Sequence, residues 1–229
     1  MRNRNAPALI AEAIGTFLFL FVGVGSVVLG DYLVANGGTG PGLLGVALAH
    51  GLALAVLVSA LGPVSGGHFN PAVTLAVWIM GKVQPSRAAM YVMAQLIGAA
   101  VAGFALRGIF PTEAWQPSAI GTPALGADIS PATGIVVEAV LTALLVLAVI
   151  GTAVDGRAPK IGGLAIGLAV AADILVGGPL TGAAMNPARW FGPAVAAGAF
   201  ADWYVWWIGP AVGAAVAALI YRYSLAEVS

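Results

Sequence analysis

Two stretches decide the fold: Ser65-Gly66-Gly67-His68-Phe69-Asn70-Pro71-Ala72 and Thr181-Gly182-Ala183-Ala184-Met185-Asn186-Pro187-Ala188. In each, a glycine-rich approach, beginning near residue 62 in the first copy and at Gly177 in the second, leads to Asn-Pro-Ala. An apolar run follows, Val73 to Met80 in the first and to about Ala197 in the second. Asn is a favoured helix N-cap and Pro a favoured first helical residue, so each run predicts a helix starting at its asparagine. Neither run is long enough to cross a bilayer, which takes about 20 apolar residues. Both read as half-helices preceded by extended backbone. Such backbone is tolerated at membrane depth only where protein buries it or where it lines a watery cavity.

The rest of the chain fits a membrane setting. Of its 229 residues, 60% are hydrophobic and 8% charged, whereas a soluble domain carries roughly a quarter charged. Nine basic residues balance nine acidic ones, which gives no electrostatic case for nucleic acid. The absence of cysteine excludes disulfides, thiol catalysis and Cys-ligated metals, and two histidines leave little for another metal site. No cofactor and no metal are expected. Apolar stretches at roughly 8–29, 42–61, 88–107, 132–154, 161–177 and 203–223 provide six spans.

An internal repeat orders these spans. Glu12-Ala13-Ile14-Gly15-Thr16 returns as Glu138-Ala139-Val140-Leu141-Thr142, and the two Asn-Pro-Ala stretches correspond. Gly98-Ala99-Ala100-Val101-Ala102 recurs as Gly213-Ala214-Ala215-Val216-Ala217, each followed by an arginine nine positions after its glycine, Arg107 and Arg222. A unit of three spans, repeated once, must enter the membrane from opposite sides, and inverted repeats place sites near the bilayer midplane. The expected fold class is therefore an all-α membrane protein of six transmembrane helices plus two re-entrant half-helices. A single domain is expected over 1–229, with repeat one at about 7–110, an extracellular linker at about 108–131 and repeat two at about 132–224.

Arg2, Arg4, Lys82, Arg87, Arg157, Lys160 and Arg222 fall on one side of the six spans, with Asp31, Glu113 and Asp128 on the other. Basic loops face the cytoplasm, so both termini are expected there; Arg107 is the exception. The first span is followed by five more and lacks a cleavage motif, so it reads as an uncleaved helix rather than a signal peptide.

Opposed half-helices would bring two positive dipole ends, each worth about half a charge, to the membrane centre and repel cations. Each asparagine oxygen can cap its own helix while the amide NH₂ donates into the cavity. The carbonyls of Gly66 to Phe69 and Gly182 to Met185 would supply acceptors on either side. A water column oriented in this way resists proton relay.

These residues resemble a known family, the aquaporins or major intrinsic proteins. His68-Phe69-Asn70-Pro71-Ala72-Val73-Thr74 and Met185-Asn186-Pro187-Ala188-Arg189 look like its two motifs, and the similarity runs from Glu12 to about Arg222. The resemblance implies a channel, usually a homotetramer with one pore per subunit. Counting from the motifs, its outer constriction falls on His50, Ile174, Ala183 and Arg189. Glycerol-conducting members have an aromatic, apolar wall and an Asp after the arginine. Trp190 stands there in this chain, with Ala194 and Trp206-Trp207 further on, and the water-type branch is the better match. His50 with Ile174 is similar to plant vacuolar aquaporins and their ammonia-permeable relatives. The expectation is a passive water pore that also admits ammonia, hydrogen peroxide or urea.

Other residues are expected in supporting roles. Glu12 and Glu138, charged within spans, are expected to accept hydrogen bonds from the glycine-rich loops, and His68 to support its loop. Asp173 and Asp202 line the outer vestibule or sit at helix ends. Trp203, Trp206 and Trp207 form an interfacial belt with at least one ring inside the bundle.

The rival readings are a glycerol or urea facilitator and an ion-coupled secondary transporter, which also uses inverted repeats and broken helices. Charges concentrated outside the spans weigh against the transporter. An intramembrane serine enzyme fails because position 63 is proline in the Gly-x-Ser-Gly pattern. The expected partners are water, small neutral solutes, the lipid bilayer and further copies of the chain. Compact size and short termini point to a prokaryotic cell membrane.

Overall fold

The computed structural model describes residues 5–157, 159 and 161–226. Arg2, Arg4 and Lys160, counted above among the basic residues of one side, lie outside that set. The described residues form α1 (Ala6–Ala35), α2 (Gly42–Ser65), the half-helix α3 (Pro71–Ile79), α4 (Pro85–Ile109), a single turn α5 (Thr112–Trp115) and α6 (Pro131–Val149). They continue with α7 (Gly162–Thr181), the half-helix α8 (Pro187–Ala197) and α9 (Val205–Ile220). Helices α6 and α9 each run on into a wide π-helical turn, Ile150–Val154 and Tyr221–Leu225. Among the described residues, six helices are long and apolar enough to cross a membrane. The protein is an integral, multi-pass, all-α membrane protein.

Two helices outrun their sequence-based ends. α2 continues past Pro63 to Ser65, and α7 past Pro179 to Thr181. A proline removes one amide from a helix but does not end it when the turn behind is held by packing. Each helix stops instead at a glycine in the left-handed region, Gly66 (φ 97°) and Gly182 (φ 77°), whose amides close onto Gly62 and Gly178. The approach to each asparagine is therefore four residues, 66–69 and 182–185, shorter than the sequence suggested, and it is not the extended backbone expected: Gly66, Gly67 and Phe69 in the first copy and Gly182, Ala183 and Met185 in the second have φ between 44° and 97°.

The two halves meet along α2 and α7. Gly51 and Gly167 occupy equivalent places in the repeat, and a methyl group on either would collide with the backbone carbonyl of the other. Small residues let helix backbones touch in this way where lipid offers no hydrophobic drive. Outward positions such as Leu52, Val56, Met93, Ile97, Val136 and Val140 are exposed, so the apolar girdle faces the bilayer rather than a core.

The paired arginines of the repeat are used across it. Arg107 at the end of α4 donates to the Ala196 carbonyl, 2.6 Å away in the last turn of α8, and its guanidinium lies 5.0 Å from the Trp115 ring centroid. Arg222 donates to the Ile79 carbonyl at the end of α3. Each arginine thus satisfies the C-terminal end of the other repeat's half-helix, where a cation opposes the negative dipole end. That is why Arg107 departs from the charge asymmetry of the loops.

Candidate functional site

The half-helices begin as their sequences dictate. Asn70 Oδ1 accepts from the Ala72 amide at 2.8 Å, and Asn186 Oδ1 from those of Ala188 and Arg189 at 2.9 and 3.3 Å. The amide nitrogens then cross over. Asn70 Nδ2 donates to the Met185 carbonyl at 2.9 Å and Asn186 Nδ2 to the Phe69 carbonyl at 3.0 Å. The two helix starts are therefore bonded to each other's approach loop, and one N–H of each amide remains for the cavity both asparagines line. Of the carbonyls read as acceptors, those of Phe69 and Met185 are engaged by these amides. Among the described residues, no loop amide or side chain donates to the carbonyls of Gly66, Gly67 and His68 or of Gly182, Ala183 and Ala184.

Both approach loops hang on a buried carboxylate. Glu12 accepts from Ser65 Oγ (2.7 Å) and the amides of His68 (3.0 Å) and Phe69 (2.7 Å), with Gln95 Nε2 as fourth donor at 2.8 Å. Glu138 accepts from Thr181 Oγ1 (2.7 Å) and the amides of Ala184 (2.9 Å) and Met185 (2.7 Å). The residue equivalent to Gln95 is Pro210, so among the described residues the second carboxylate has no fourth donor. Tyr91 and Trp206, also equivalent, donate to the Ser65 and Thr181 carbonyls at 2.8 and 3.0 Å. Loops without secondary structure are thereby satisfied donor by donor, as buried backbone requires.

Two cavities border this region. One of about 330 Å³ runs past both asparagines to Lys82, Arg87 and Val154 on the basic face, with Leu54, Val58, Val77, Leu145 and Val149 in its wall. The other, about 610 Å³, opens on the opposite face and is lined by residues 117–119 and 121–125, Asp202 and Trp206, among others. Ile174 and Arg189 border both. His50 and Ala183 line the first beside them, so the four residues expected at a constriction all border one cavity.

Arg189 is 4% exposed, and its Nη1 donates to the Gly121 carbonyl at 3.0 Å. That carbonyl comes from the 108–131 segment, which is more than a linker: it folds back into the vestibule, buries Ile120 and donates from Gly126 to the Leu180 carbonyl. Phe19, also missed from sequence, lines the first cavity edge-on to His50 at 5.8 Å between centroids. Gly23 makes room for the imidazole, since a methyl group there would collide with the ring. Asp202 borders the outer cavity, whereas Asp173 is buried within α7 and borders neither. Of the tryptophans, Trp203 is exposed and Trp206 fully inside, stacked on Trp190 at 5.8 Å.

Residues 2–221 match the family described as major intrinsic protein. The chain belongs to the major intrinsic protein family. Among relatives of this family member, Aquaporin TIP4-4 of Zea mays is 48% identical over 217 residues, covering 93% of this chain and 84% of the relative. Probable aquaporin TIP3-2 of Arabidopsis thaliana is 45% identical over 227 residues, covering 95% and 83%. The fold is similar to the X-ray structure of the aquaglyceroporin from Plasmodium falciparum, with a TM-score of 0.82, 25% identity, and coverage of 96% of this chain and 97% of that one.

Proposed function

We propose that this major intrinsic protein conducts water passively through these two cavities, with Asn70 and Asn186 at the midplane and His50, Ile174, Ala183 and Arg189 as the selecting neck. The observation that carries the reading is the crossed bonding of the two asparagine amides, which holds two positive helix ends together with one N–H of each left to the cavity. Water oxygens turn toward those donors and water protons point outward to the free loop carbonyls. A cation meets two like partial charges and the fixed charge of Arg189. No bond is made or broken, and the protein is a channel rather than an enzyme.

Ile174 and Ala183 give the neck two small or apolar walls beside His50 and Arg189, which favours ammonia and hydrogen peroxide as further solutes. The apolar wall also admits a glycerol or urea facilitator as second reading. The basic face, with Lys82, Arg87, Arg157 and Arg222, is placed toward the cytoplasm. The relatives compared are plant proteins and lend no support to a prokaryotic membrane. A homotetramer with four separate pores is part of the proposal, as is the division into two repeats within one channel domain. Stopped-flow shrinkage of proteoliposomes in sucrose tests the core of it, followed by urea, glycerol and ammonium gradients. Fast shrinkage in sucrose supports the water pore; a rate equal to protein-free vesicles overturns it, and rapid reswelling in glycerol favours the facilitator.

A further inference from the structure

Among the described residues the Arg189 side chain makes one hydrogen bond, from Nη1 to the Gly121 carbonyl at 3.0 Å, and its buried Nε has no partner. A guanidinium offers five N–H donors at the end of a long, many-rotamer side chain. Its place in the neck is therefore set by where Gly121 is held. Gly121 lies 68 positions away in sequence, in the segment between α4 and α6.

Three consecutive residues there occupy the left-handed region, Ala119 (φ 48°), Ile120 (φ 57°) and Gly121 (φ 65°). That conformation is costly for alanine and more so for β-branched isoleucine. It persists only where the surroundings over-determine the backbone, and three ties do so here. The Ile120 side chain is fully buried in the main apolar cluster, and its amide donates to the Trp115 carbonyl at 2.8 Å. The Gly121 amide donates to Ser118 Oγ at 3.1 Å, and a methyl group on Gly121 would press on Val24 and Val27 of α1. The Trp115 ring packs against the same cluster, with its centroid 5.0 Å from the guanidinium of Arg107, whose Nη1 donates to the Ala196 carbonyl at 2.6 Å. The segment thus reaches both ends of α8, the last turn through Arg107 and the first through Arg189.

We infer that Trp115, Ser118 and Ile120 are positioning residues for solute selection. Residues 115–121 form a splint, hung from the far end of α8 by Arg107, that presents the Gly121 carbonyl at one place and so fixes the Arg189 guanidinium. Trp115 and Ile120 border neither cavity, so they act on a permeating solute only through Arg189. When the splint loosens, the guanidinium leaves its carbonyl and the small side chains of Ile174 and Ala183 set the opening. This deepens the water-channel reading and rests on it.

The test measures urea permeability relative to water for the full chain in proteoliposomes, with Trp115→Leu set against wild type. Leucine keeps an apolar side chain on the cluster but offers Arg107 no ring face. The urea-to-water ratio should rise about two- to fivefold, the population shift that one cation–π contact at an exposed site holds back. Trp115→Phe keeps a ring and should return the ratio to the wild-type value. A merely structural role would lower the amount of folded channel and leave the ratio of the remainder unchanged, so an unchanged ratio in Trp115→Leu overturns the inference. Where that variant does not fold, Ser118→Ala removes only the bond to the Gly121 amide from a half-buried side chain. Its ratio should rise as well, and a wild-type ratio there overturns the inference equally. Absence of water flux in the wild type would instead defeat the channel reading itself, a result distinct from a conducting wild type whose variants keep its selectivity.

Discussion

Asn70 and Asn186 are bonded into each other's repeat: each caps its own half-helix through Oδ1 and donates through Nδ2 to the carbonyl just before the other asparagine. Two crossed hydrogen bonds therefore tie the helix starts together, and the caps bring the bonds made by the two asparagine side chains to five. Buried amides tied in this way keep their orientation, and each presents one remaining N–H to the pore.

Asn186→Asp tests the electrostatics of that junction. A carboxylate keeps the cap but cannot donate to the Phe69 carbonyl, and it places a negative charge where the helix ends meet. Cation leak should rise above wild type while water still passes. Ion-sensitive dye in proteoliposomes gives the answer, and a variant as cation-tight as wild type counts against the dipole argument.

Glu12→Gln and Glu138→Gln should both destabilise the protein, the first more than the second. Glu12 accepts four hydrogen bonds and Glu138 three, and bonds to a charged acceptor are each worth about 1.5–3 kcal/mol. The Gln95 amide would also face a rotated amide rather than a carboxylate. Thermal unfolding in detergent ranks the pair; equal losses would mean the fourth bond contributes nothing.

Gly23→Ala should slow water without loosening the fold. The added methyl pushes on the His50 ring, which must then swing into the neck. Flux is expected to fall severalfold, and a variant with wild-type flux would show that His50 does not border the narrow point.

Asp155 offers a pH test on the basic face. The Arg157 guanidinium, helped by the Arg157 amide and the Tyr221 hydroxyl, holds its carboxyl well below the usual carboxylate range. A depressed folded-state pKa contributes stability that is present above the unfolded value of about 3.9 and lost as pH falls through the folded value. The tie from Asp155 to Tyr221, and from Arg157 to the Leu225 carbonyl, should hold unchanged from pH 8 to pH 5. Amide hydrogen exchange at residues 221–226 checks this, and protection that fades across that window contradicts it; Asp155→Asn should raise exchange at every pH.

Much of this was legible in the sequence because it rests on local chemistry. Asn-Pro starts a helix by capping, so α3 and α8 were readable to within a residue or two, and apolar length gave the six spans. Glu12 and Glu138 stood out as charges where lipid permits none without partners. What was not legible depends on the third dimension. Nothing in residues 108–131 marks Gly121 as the carbonyl that holds Arg189, because any residue supplies a carbonyl. The role of Arg107 was hidden because its acceptor is a backbone atom 89 positions away in the other repeat. The glycine-rich approaches misled because the last turn of a packed helix tolerates both its glycines and the missing amide of Pro63 or Pro179.

The central claim is a single file of water threaded past two opposed helix ends. It is tested most directly by measuring osmotic and diffusional water permeability on the same proteoliposomes. Molecules that cannot pass one another must move together under an osmotic gradient, so the osmotic value should exceed the diffusional one severalfold. Equal values would mean that water crosses independently, by a wide pore or through the lipid, and would contradict the account.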